Sequence, residues 1–89
     1  MSLTNNQAKE MGKLAAWQKG VIVHTHDPNK FRKDRFGNWI EWNDYGKTSD
    51  YGWEIDHIVP TSLGGLLGPT NEVATHWKAN RMKSNRFVG

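Results

Sequence analysis

Asp56 and His57 stand side by side in this chain, followed by Asn71 fourteen residues later and Asn80 nine beyond that. These residue types suit phosphoryl chemistry. A carboxylate from Asp56 and a side-chain carbonyl from Asn80 are hard oxygen ligands, which suit Mg²⁺ or Mn²⁺ and are poor for Zn²⁺ or Cu²⁺. The neutral imidazole of His57 can accept a proton from water near physiological pH, provided its other ring nitrogen is held by a backbone carbonyl. Base and metal then divide the labour, the metal stabilising charge on a phosphorane and on the departing 3′ oxygen.

Such groups act only if the chain brings them together. Trp53 to Val59 alternates apolar and polar residues and predicts a strand that carries Asp56-His57. Neighbours on an ideal strand point to opposite faces, so joint action of Asp56 and His57 requires the chain to bend there. Pro60 to Thr70, with Gly64-Gly65 and Gly68-Pro69, reads as a loop. Glu72 to Ala74 reads as a second short strand. Thr75 is placed to cap a helix from His76 to about Asn85, with basic residues in its last turns as the helix dipole favours. On that helix His76, Asn80 and Ser84 share one face, and Ala79 and Met82 lie on another that can pack on the strands.

The N-terminal half supplies the support. Thr4-Asn5-Asn6-Gln7 has capping-box spacing, and Ala8, Met11, Leu14 and Ala15 recur at helical intervals up to Gly20. Val21 to Val23 is too brief to assign. Asp27-Pro28-Asn29 is a turn signal, and Gly37 to Trp42 predicts a strand with Trp39 on one face and Ile40 and Trp42 on the other. Asn43 to Gly52 is loop chemistry.

Length and composition bound the class. The 89 residues suit one domain, and five Trp, three Phe and two Tyr can fill a small core. With no cysteine, disulfides and thiolate zinc sites are excluded. No stretch reaches the length of a membrane span and the N-terminus lacks the apolar run of a signal peptide, so the expectation is a cytoplasmic protein. The net charge is +3 but uneven. Lys30, Arg32, Lys33 and Arg35 cluster early and Lys78, Arg81, Lys83 and Arg86 late, around an acidic stretch of Asp44, Asp50, Glu54 and Asp56. Basic clusters flanking carboxylates suit a polyanion held around a metal, with Lys78, Arg81 and Lys83 as candidates to contact nucleic acid. A solvated face is the plainer reading of any one of them. His24 and His26 alternate as a metal-binding pair could, but simple exposure is the favoured reading of both.

Glu54-Ile55-Asp56-His57-Ile58-Val59-Pro60, then Gly64-Gly65, Asn71 and Asn80-Arg81-Met82-Lys83, resemble the HNH endonuclease (ββα-metal) motif in its Asp-His, Asn, Asn variant. Trp17-Gln18-Lys19-Gly20, Asp27-Pro28-Asn29-Lys30, Gly37-Asn38-Trp39-Ile40 and Tyr51-Gly52-Trp53-Glu54 extend the resemblance to small bacterial and phage HNH proteins. The resemblance implies an α+β fold: a single domain over 1–89 with an N-terminal helix and a ββα-metal core at 51–86. It makes His57 the general base, Asp56 and Asn80 the metal ligands, and Asn71 the residue that bonds across the glycine-rich loop and so orients the base. His76 and Ser84 are further candidates for the metal or the rim of the site, although for His76 a helix-start residue bonded to backbone or solvent is the better reading. One divalent cation is implied, Mg²⁺ first and Mn²⁺ or Ni²⁺ as alternatives, with DNA as substrate and no small-molecule cofactor. Low net charge suggests a homodimer or a targeting subunit for cleavage at defined sites. A nucleic-acid-binding module without turnover, serving a larger phage or defence complex, is the rival reading, and RNA cleavage or toxin activity a third.

Three departures from the family pattern stand out. His76 and Ala79 occupy the places of a CxxC pair, so no structural zinc is expected. Ser84 stands where some relatives carry a third metal-binding histidine. Glu72 and Thr75 occupy positions that are usually apolar.

Overall fold

The computed structural model describes residues 4–66, 68 and 70–88, without the side chains of Thr61 and of residues 84–88. The elements follow in the order α1 (Asn5–Gln18), β1 (Phe31–Lys33), β2 (Trp39–Glu41), β3 (Trp53–His57), β4 (Glu72–His76) and α2 (Trp77–Val88), with single 3₁₀ turns at Trp42–Asp44 and Thr61–Leu63. β1 pairs with β2 and β3 with β4, giving two antiparallel two-stranded sheets in an α+β arrangement. Among the described residues, no helix is long and apolar enough to cross a membrane.

Helix α1 starts on a capping box. The Thr4 hydroxyl accepts from Gln7 N–H, and the Gln7 side chain accepts from Thr4 N–H. Only its last turns reach the core. Ala16 and Trp17 are buried, whereas Ala8, Met11 and Leu14, three of the four positions of the apolar repeat, are exposed, the last two beside Trp42. Trp17 satisfies its indole N–H on Pro28 O at 2.9 Å, so one ring both fills the core and holds the turn before β1.

β1 is too short and too charged to announce itself. It forms because Arg32 turns inward and donates to the carbonyls of Pro28, Gln18 and Gly20, tying the end of α1 to the sheet. Burial lowers the Arg32 pKa from its ordinary value through desolvation. The turn into β2 is built on Asp34, 1% exposed, whose carboxylate accepts from Phe36 N–H, Asn38 N–H and Asn38 Nδ2. Its fourth donor is the backbone N–H of His76, at 3.0 Å. That bond fastens the first sheet to the junction of β4 and α2.

Trp17, Ile40, Trp53 and Ala74 form the buried cluster, with Trp42 and Ile55 packed against it. The Trp17, Trp42 and Trp53 rings meet at centroid distances of 5.2–5.9 Å in tilted or edge contacts, a geometry that adds to their area burial. β2 is shorter than its predicted span because the chain turns at Trp42. β4 runs two residues beyond the predicted Ala74, and Thr75 lies within it and does not cap α2. The helix starts instead on His76, whose Nδ1 accepts from Lys78 N–H at 3.1 Å. Met82, expected on the packing face of α2, is 61% exposed; the face toward the strands carries Asn80 and Lys83.

Candidate active site at the end of the β3–β4 hairpin

The register of the hairpin sorts its side chains. Trp53, Ile55 and His57 lie opposite His76, Ala74 and Glu72, and the first members of this row pack into the core. Glu54 and Asp56 lie opposite Thr75 and Val73 on the other face, under α2. Asp56 is nearly buried there. Its carboxylate receives Arg35 Nη2 at 3.0 Å, Lys83 Nζ at 3.1 Å and the Thr75 hydroxyl at 3.4 Å. Lys83 Nζ also donates to the carbonyl of Ile58 at 3.4 Å and to that of His57. One ammonium thus lies among the oxygens of three consecutive residues.

His57 remains in the ladder opposite Glu72, so the chain does not bend at this residue and the ring stays on the face away from the Asp56 side chain. Its Nε2 lies 3.3 Å from Glu72 Oε2. That nitrogen is shielded from solvent, and the approach is not aligned as a hydrogen bond; among the described residues it has no hydrogen-bond partner. The backbone carbonyl expected beside the base is replaced by a carboxylate.

Asn71 closes the loop that follows β3. Its Oδ1 accepts from Val59 N–H at 2.8 Å, and its Nδ2 donates to Val59 O at 2.9 Å and Leu66 O at 2.8 Å. The loop returns so tightly that a Cβ on Gly65 would lie 1.8 Å from Val59 O. Ile58 N–H donates to Asn71 O, which carries the ladder one residue past His57.

The remaining candidates are distributed around this centre. Asn80 Nδ2 donates to Glu54 Oε1 at 3.3 Å, one strand position pair away from Asp56. His76 is buried and commits both ring nitrogens to backbone, Nδ1 as acceptor from Lys78 N–H and Nε2 as donor to Asp50 O at 2.8 Å. The Ser84 side chain lies outside the described residues. Lys78 and Arg81 are exposed over the Trp77 ring, and Arg81 pairs with Glu54 at 3.3 Å. Lys83 turns inward instead.

Among the described residues, no group of three or more His, Asp or Glu side chains could hold a metal ion. The donors that do converge are the Asp56 carboxylate and the carbonyls of His57 and Ile58 around the Lys83 ammonium. One carboxylate and two backbone carbonyls are hard oxygen donors, the ligand type that a divalent cation of the Mg²⁺ class takes, with water or substrate left to complete its shell. The family model for HNH endonucleases matches residues 43–88. This chain belongs to the HNH endonuclease family. Neither a curated protein nor a solved structure gives a significant match. Membership brings nuclease-type, hydrolytic function on a nucleic-acid substrate, in a family that generally uses a divalent metal.

Within this HNH centre, four contacts were not legible as contacts in the sequence. Arg35 reads there as one of a basic cluster, and Lys83 as a phosphate-binding residue. Glu72 and Thr75 do carry a signal, since both are polar where the family is usually apolar. The structure puts Glu72 beside His57 and the Thr75 hydroxyl on Asp56.

Proposed function

We propose that this HNH protein is a metal-dependent DNA endonuclease in which His57 is the general base and Asp56 the anchoring metal ligand. The observation that carries the reading is the oxygen seat of Asp56, His57 O and Ile58 O, formed at the strand end that also carries the His57 ring. The His57 ring lies on the face away from the Asp56 side chain, so in this scheme the strand end at His57 bends when metal and substrate bind. With Nε2 buried beside Glu72, water gives its proton to Nδ1, and the Glu72 carboxylate stabilises the imidazolium that results. Glu72 is a positioning residue in this scheme. Hydroxide attacks phosphorus, the P–O3′ bond breaks, and the departing O3′ takes a proton from solvent water, so the products are a 5′-phosphate and a 3′-hydroxyl, and His57 returns its proton to solvent. A divalent cation, Mg²⁺ or one of its close substitutes Mn²⁺ and Ni²⁺, supplies charge neutralisation on the phosphate and on the leaving oxygen when bound. Asn71 holds the loop at Val59, next to the carbonyls of the seat. Lys78 and Arg81 offer exposed positive charge to the backbone of DNA.

Supercoiled plasmid incubated with the purified chain in Mg²⁺ or Mn²⁺ tests this. Nicked or linear product is expected, and His57→Ala or a chelator abolishes it. Cleavage that survives both refutes the assignment.

A second reading has its own support. Asp56 is already paired by Arg35 and Lys83, which suits a nucleic-acid-binding module without turnover. That reading expects salt-dependent DNA binding and no nicking in Mg²⁺, Mn²⁺ or Ni²⁺ at any protein concentration.

A further inference from the structure

Lys83, expected from sequence on phosphate, is turned into the site instead. Its side chain is largely buried, and its ammonium lies within 3.4 Å of both Asp56 oxygens and of Ile58 O, and also bonds His57 O. Three residues after Asn80, Lys83 occupies the same side of α2, the side that faces β3. A cation already fills the seat. Arg35 reaches the same carboxylate only at Oδ2, whereas the position shared by Asp56 Oδ1, His57 O and Ile58 O is filled by the ammonium itself, and a divalent cation at that point would overlap it and be repelled by it. The lysine stem is long and flexible, and can withdraw without movement of the helix.

We infer that Lys83 is an intramolecular competitor for the metal, so that a divalent cation binds at Asp56 only by displacing the Lys83 ammonium. Arg35 stays on Asp56 Oδ2 and keeps the buried carboxylate compensated during the exchange. The metal affinity of the chain is therefore set by a side chain that is not a ligand. This rests on the oxygen seat of the proposed function, but its readout is metal binding, so absence of nuclease turnover leaves it standing.

Mn²⁺ binding to the full chain, followed by the loss of the free-ion electron paramagnetic resonance signal, is the test. Lys83→Met is expected to bind Mn²⁺ at least tenfold more tightly than the wild type, and Asp56→Asn in the same background to remove that gain. Equal affinity of Lys83→Met and wild type overturns the inference, as does a gain that survives Asp56→Asn. Lys83→Gln serves if the Met variant does not fold. The wild type gives an independent measurement: with lysine Nζ labelled by ¹⁵N, the Lys83 ammonium resonance is expected to shift on saturation with Mg²⁺. An unmoved resonance at saturation refutes displacement.

Discussion

Replacing Asn71 with alanine deletes three hydrogen bonds at once, to Val59 N–H, Val59 O and Leu66 O, all between 2.8 and 2.9 Å. At about 1 kcal/mol net each, the loss is about 3 kcal/mol, and water reaching the exposed Val59 and Leu66 lowers it toward about 2. For a domain of this size that corresponds to a fall in Tm of roughly 8–24 °C. Asn71→Asp separates geometry from volume. It keeps the acceptor for Val59 N–H but sets a carboxylate oxygen against two carbonyls, so it costs at least as much as alanine. Urea denaturation reads both variants through the midpoint at constant slope. Plasmid nicking by the folded fraction of each is expected to fall as well, because the loop at Val59 adjoins the seat. An alanine variant within about 0.5 kcal/mol of wild type, or an aspartate variant as stable as asparagine, would refute the view that this side chain fastens the loop.

Two further substitutions test the frame of the site. Gly64 has φ +88° with open space around it, whereas a Cβ on Gly65 meets Val59 O at 1.8 Å. Gly64→Ala is thus expected to cost about 1 kcal/mol and Gly65→Ala clearly more, the reverse order in chemical denaturation counting against the observed loop path. Asp34→Ala leaves four N–H donors without their acceptor, including buried His76 N–H, and is expected to cost about 3 kcal/mol or more. Asp34→Asn falls between, since it retains one acceptor oxygen; equal stability of all three proteins by calorimetry contradicts the role given to this carboxylate.

Local signals sufficed for much of this protein. The Thr4/Gln7 capping box, the alternation around Trp53–His57, the glycine-rich loop and the polar C-terminal helix are each written within a few residues, where capping, strand period and turn chemistry act. The family spacing of Asp56, His57, Asn71 and Asn80 is likewise a property of the chain alone. β1 escaped because its stability comes from Arg32 reaching carbonyls more than ten residues away, and three-residue strands carry too little periodicity to read. The outward face of α1 and the exposure of Met82 escaped for a related reason: apolar spacing names a face, but only the packed partner decides whether it is covered. The electrostatics of the centre belong wholly to tertiary structure. Arg35 and Lys83 are separated from Asp56 by 21 and 27 positions, and only folding brings both cations onto its carboxylate. Sequence spacing selected the candidate residues; the packing of α2 and of the first hairpin against β3 decided which charges they meet.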